Sequence, residues 1–159
     1  MPLKDLDDNQ RESILRASDL IRAAGWEKKA QTIQDFLGNR NQMFVDPDMP
    51  PLDAAQTTPN SKPQVITFSP KLPLTAGEPP RPLKKSDPDF VVLAGVLLHE
   101  ADHAHHHGEI EAYGEEVEFF QAVNEEFDKY FPGLQPADAD AVREKKHMWE
   151  RGCEAARES

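Results

Sequence analysis

The sequence predicts an α+β fold: one mostly helical domain over all 159 residues, with a small β-sheet and edge strand packed beside a buried central helix. Three observations predict it. Apolar residues recur at helical spacing through residues 9–37. Eleven of the 14 prolines lie between Pro47 and Pro88, which disfavours helix over most of that region and leaves loop and short strands. The most apolar run of the chain, residues 90–98, then leads into a polar stretch dense in histidine and glutamate, residues 99–116.

Over residues 9–24, Ile14, Leu15, Ile21 and Ala24 mark a first amphipathic helix. Gly25 breaks it. Trp26, Ala30, Ile33 and Leu37, spaced four, three and four, mark a second helix, stopped at Gly38-Asn39. Residues 1–39 are thus a helical hairpin that covers a core. Residues 40–86 form a Pro-rich loop with short strands. One is residues 43–45. The other is residues 64–69, β-branched and aromatic, whose flanking Pro63 and Pro70 suit an edge strand. This loop is expected either to run over the surface or to cover a cleft that the strand rims.

Ser86-Asp87-Pro88 starts the central helix, with Ser86 or Asp87 as cap and proline in the first turn. Apolar on all sides at first, it is expected to be buried all round and to run to about His107, with Gly108 as the stop. A following helix runs from about Glu109 to Tyr130, before Pro132-Gly133, so that residues 87–131 hold both helices of the candidate site. A C-terminal helix, residues 137–157, carries Val142, Trp149, Cys153 and Ala156 behind the capping Asp138.

Composition narrows the partners. With 29 acidic against 18 basic residues the net charge is -11, so nucleic acid and anionic membrane are expected to be repelled. A single cysteine excludes an internal disulfide. Residues 1–8 show no apolar run after a basic start, and residues 90–98 give about half the length a membrane span needs. A cytoplasmic protein is expected.

Chemistry concentrates at His99-Glu100-Ala101-Asp102-His103, an H-E-x-x-H pattern. Residues four apart share a helix face, so His99 and His103 can present two imidazoles to one ion. Glu100 lies on the adjoining face, where it can take a proton from water without being a ligand. Zinc is the expected metal. It lowers the pKa of bound water from about 16 toward about 7, and a catalytic site needs a third protein ligand.

The residues around this pattern, Leu97-Leu98-His99-Glu100-Ala101-Asp102-His103 and then Glu109-Ile110-Glu111-Ala112-Tyr113, resemble the zincin metallopeptidases, and within them the gluzincin type. The metzincin branch is disfavoured, because His106 and Glu109 stand where it needs glycine and a third histidine. The resemblance implies a zincin-like fold, a peptide or protein substrate, and zinc held by His99, His103 and a glutamate on the next helix. It also implies that a strand edge beside the active-site helix binds the substrate, with residues 65–68 as the candidate. For the third ligand, Ile110, Tyr113, Val117, Phe120 and Phe127 define an apolar side of the next helix, with Glu109 and Glu116 at its edge and Glu111, Glu115 and Glu118 opposite. The face argument favours Glu109. The resemblance, in which the ligand precedes a small residue by three, fits Glu109 before Ala112 and also Glu111 before Gly114, and Glu111 stays open because the returning helix needs length to come level with the metal. Glu115 and Glu116 are the lower-ranked candidates, and most of the remaining glutamates are expected to face solvent.

His105, His106 and His107 are read as a polar helix end suited to the helix dipole, although His106 or His107 can continue the face of His103. Tyr113, Tyr130 and His147 are the candidate donors to a developing oxyanion. The expected function is a zinc metallopeptidase with Glu100 as general base. The alternative is a non-enzymatic His-rich protein for metal storage, sensing or partner binding.

Overall fold

The computed structural model describes residues 2–39, 41–50, 53–84 and 87–125. In chain order they form β1 (Lys4–Asp5), α1 (Asp8–Ala23), α2 (Glu27–Gly38), β2 (Met43–Val45), β3 (Ala55–Thr57), β4 (Ile66–Phe68), β5 (Thr75–Ala76), β6 (Arg81–Pro82), α3 (Pro88–Ala104) and α4 (Glu109–Glu125). They make a small mixed α+β domain, with four helices and two small sheets among the described residues. The expected C-terminal helix and the last residues of the helix after the motif lie outside the described residues.

Asp7 starts α1 with a capping box. Its carboxylate accepts from Gln10 N (2.8 Å) and its own N–H donates to Gln10 Oε1 (2.9 Å). Ile14, Ala17, Leu20 and Ile21 form the buried stripe, while Leu15 is 37% exposed and faces out. Gly25 adopts φ +112°, a left-handed turn open to glycine, and sends the chain back as α2. Ala30, Ile33, Phe36 and Leu37 bury the inner face of that helix against α1 and α3.

The four-stranded sheet has the order β1-β2-β4-β3, with β2 parallel to β4 and the other pairs antiparallel. This corrects the expectation that residues 65–68 form an edge. β4 is interior and bonded on both sides: Ile66 N–H donates to Gln42 O (2.8 Å) and Phe68 O accepts from Asp46 N (2.9 Å) on one side, while on the other Ser69 N donates to Ala54 O and Thr58 N to Val65 O (both 2.9 Å), either side of the Gln56–Thr67 pair. Pro63 and Pro70 fall beyond the paired residues, so they take no donor from the ladder. The edge on this side of the sheet is β3, which the sequence pattern did not reveal.

α3 is the centre of the core. Phe90, Leu93, Ala94, Leu97, Leu98 and Ala101 are all buried, in one core with Phe68 and Ile66 of the sheet, Ile14 and Ile21 of α1 and Phe119 of α4. Asp87 occupies the cap position, but its carboxylate binds the Arg81 guanidinium (2.8 and 3.1 Å) and Lys84 N (2.7 Å) instead of the helix. The helix also ends earlier than expected, at Ala104. His106, not Gly108, takes the left-handed position (φ 65°), and the bonds His106 N to His103 O (2.9 Å) and His107 N to Asp102 O (2.9 Å) close a Schellman turn.

The buried face of α4 also differs from the expected one. Ala112, Glu116 and Phe119, spaced four and three, pack inward, and Ile110 is 58% exposed. Phe119 meets Trp26 edge-to-face at 6.1 Å, which ties α4 to the start of α2.

Candidate metal centre

α3 directs His99, Glu100 and His103 into one cleft of about 450 Å³, whose opposite wall is β3 with Asp53 and Pro59. Here the Pro-rich segment forms one wall of the cleft. α4 brings Glu109, Tyr113 and Glu116 to the same space.

His99 Nε2, His103 Nε2 and a Glu109 carboxylate oxygen all lie within 4.8 Å of one another, a group that could hold a metal ion. The two Nε2 atoms are 3.1 Å apart, Glu109 Oε1 is 3.4 Å from His99 Nε2, and the same oxygen contacts His103 Nε2. Glu111 is not part of this group; it lies beside His107, with its Oε2 3.3 Å from Nδ1.

Whether these residues fit a metal depends on which ring nitrogens are free. The His107 carbonyl can only accept, so His103 Nδ1 carries the proton it donates to it (3.0 Å). His99 Nδ1 donates in the same way to Glu116 Oε1 (2.9 Å). Both Nδ1 atoms are thus engaged, and both Nε2 atoms face Glu109. This is the arrangement of metal-binding imidazoles, each oriented by an outer carboxylate or carbonyl. Bringing two imidazole nitrogens and a carboxylate together favours positive charge. Burial alone would lower the His99 pKa, but the hydrogen bond to Glu116 and the charges of Glu116, Glu100 and Glu109 raise it to about 9.

The sequence puts Glu116 at the edge of the apolar side and among the candidate ligands; the structure sets it behind His99, outside the group of His99, His103 and Glu109. Glu116 is 1% exposed, its Oε2 has no hydrogen-bond partner among the described residues, and burial pushes its pKa up to about 7 against the pull of His99. A carboxylate tolerates that burial because His99 Nδ1 sits against it. The available signal was its spacing, seven residues or two turns after Glu109.

Glu100 is buried and reaches the cleft. Its Oε1 accepts from Thr57 Oγ1 (2.7 Å), and burial raises its pKa against the lowering effect of the histidines and Thr57. Thr57 belongs to β3. The bonds Ser69 N to Ala54 O and Thr58 N to Val65 O (both 2.9 Å) set the antiparallel alternation. They direct the backbone groups of Ala55 and Thr57 away from β4, toward the open edge beside the cleft. Tyr113 stacks edge-on against His99 (4.5 Å between rings), and burial with the nearby carboxylates raises its pKa. Tyr130 and His147 lie outside the described residues.

The three following histidines lie apart from the metal group. His105 Nε2 meets Thr32 Oγ1 (2.6 Å), His106 makes the left-handed turn, and His107 lies 3.6 Å from Asp102. The turn they build supplies the carbonyl that orients His103. Behind α3, Lys29 Nζ pairs with buried Asp102 (2.9 Å) and with Glu115 (3.0 Å), which was expected on the side of α4 opposite the apolar one.

No protein-family model matches the chain, and no curated protein or solved structure matches it. No helix among the described residues is long and apolar enough to cross a membrane.

Proposed function

We propose that the chain is a zinc-dependent metallopeptidase of the zincin type, with a gluzincin-like ligand set of His99, His103 and Glu109. The observation that carries this reading is the convergence of two Nε2 atoms and the Glu109 carboxylate within 4.8 Å, with buried Glu100 in the same cleft. Two histidines and a glutamate are a ligand set used by catalytic zinc. A cation held there supplies Lewis acidity and acidifies water from about 16 toward about 7.

The chain's own residues divide the remaining work. Glu116 and the His107 carbonyl hold the two imidazoles in the tautomer that leaves Nε2 free. Glu100 accepts the proton of the attacking water at its carboxylate and passes it to the leaving amine, and Thr57 Oγ1 fixes its orientation. The outward backbone groups of Ala55 and Thr57 pair with an extended peptide, which sets the scissile carbonyl over the cleft. Tyr113 donates its hydroxyl to the oxyanion.

The test replaces Glu100 by Gln in the full chain and follows zinc content alongside cleavage of fluorescein-labelled casein and a mixed peptide library. Zinc is expected to stay at one equivalent while cleavage falls by about 10²–10⁴-fold, the scale of a general base. Undiminished cleavage by the Glu100→Gln variant contradicts the mechanism. A wild-type protein that holds zinc but cleaves neither probe favours the non-enzymatic metal-binding alternative.

A further inference from the structure

The metal group is assembled from two separate elements. His99 and His103 come from α3, and Glu109, with the orienting Glu116, comes from α4. Only the residues between Ala104 and Glu109 join those helices, so how closely α4 approaches the cleft is set by what packs along it, the buried Ala112 and Phe119 and the Glu116–His99 bond included. A separate contact behind the cleft contributes as well. Asp102 immediately precedes His103, is fully buried, and neither of its oxygens accepts an aligned hydrogen bond among the described residues. Its ion-pair partners there are Lys29, at 2.9 Å, and His107, at 3.6 Å, and its carboxyl also meets that of Glu115, a contact of two acids that the shared ammonium makes tolerable. The same Lys29 ammonium lies 3.0 and 3.2 Å from the two oxygens of Glu115, which immediately precedes Glu116. α2 is itself held against the turn by Thr32 and His105, and against α4 by Trp26 and Phe119. One cation from α2 therefore holds a carboxylate on each ligand-bearing helix, next in sequence to a histidine ligand on one and to the partner of a histidine ligand on the other.

We propose that Lys29 is a positioning residue of the metal centre: by joining Asp102 on α3 to Glu115 on α4, it helps set the spacing at which Glu109 closes on His99 and His103. The inference rests on the reading of those three side chains as a metal site. It predicts that cutting the bridge weakens metal binding specifically through Glu109, a consequence that a merely stabilising ion pair would not have.

The experiment measures zinc affinity of the full chain by competition with a chromogenic chelator, with circular dichroism and thermal melting followed in parallel. Glu115→Gln cuts the α4 arm at a half-buried position, so the fold is retained. Zinc affinity is expected to fall about tenfold, the scale of losing a partner outside the ligand set. In a Glu109→Ala background the same Glu115→Gln change is expected to cost less than about threefold, because the group it positions is gone. Lys29→Met combined with Asp102→Asn removes the ammonium together with the buried charge it covers, and is expected to reproduce the tenfold loss in a folded protein. Lys29→Arg, which keeps the cation, is expected to hold affinity closer to wild type. Wild-type zinc affinity in either the Glu115→Gln variant or the folded double variant overturns the proposal. Full additivity of Glu115→Gln with Glu109→Ala overturns it as well. A wild-type protein that takes up no zinc removes the metal centre itself and the tether with it, a result distinguishable from a zinc-binding wild type whose variants are unaffected.

Discussion

On the α2 side of α3, the carboxylates of Asp102 and Glu115 share the ammonium of Lys29 at 2.9 and 3.0 Å. On the cleft side, Glu100, Glu109 and Glu116 surround two imidazoles, and no lysine or arginine lines the cleft among the described residues. Both clusters bury acidic groups against the same helix. Behind the helix the chain supplies its own cation. In the cleft it supplies only groups that attract one. Burial and the neighbouring Glu115 push Asp102 up to about 8, opposed by Lys29, so the three groups balance one another. In the cleft His99 is driven to about 9, so the position between the carboxylates collects a proton in the metal-free protein. The comparison shows why the same residue types are structural on one face and chemically available on the other: what differs is whether the counter-charge is built in.

The largest expected effect breaks the cluster behind the helix. Lys29→Met leaves Asp102 buried without its main ion pair, and should cost about 3–5 kcal/mol of stability in a denaturant melt at about pH 9, above the value near 8 at which Asp102 ionises beside Lys29. Next comes the cluster in the cleft. Glu109→Ala should weaken zinc binding by about a hundredfold or more, beyond the usual cost of losing an outer partner, as read by chelator competition. Glu116→Gln removes the charge that orients His99, and should cost about tenfold in the same assay. A pH series sharpens the contrast further. His99 holds a proton up to about pH 9 in the metal-free site, and zinc must displace it. Zinc affinity should therefore rise about tenfold per pH unit toward that value and flatten above it, because binding releases one proton. Smallest is Glu111→Ala. Its partner is the exposed ring of His107, and zinc affinity should move by less than about twofold, in keeping with the small energy of surface ion pairs.

Much of the frame was legible in the sequence. The two N-terminal helices, the strands at residues 43–45 and 64–69 and the buried character of α3 follow from local periodicity and turn residues. What was misread depended on neighbours distant in sequence. Residues 65–68 carry proline flanks typical of an edge, yet β3 covers their free side. Ile110 looks like core and is exposed, whereas Glu116, at the edge of the expected apolar side, is fully buried, because the inward face of α4 meets His99 as well as apolar side chains. Thr57 has no motif around it, and it reaches Glu100 across 43 residues of chain.

The sequence by itself determined that His99, Glu100 and His103 stand together on one rigid, buried helix. Four-residue spacing is a property of the helix backbone, and the apolar run of residues 90–98 permits burial on every side. Only the tertiary structure decided which glutamate joins the two histidines, which nitrogen of each ring is free, and which strand edge faces the cleft. Those outcomes depend on where α4, the His106 turn and β3 pack against α3. Long-range packing of that kind has no repeat along the chain from which it could be read.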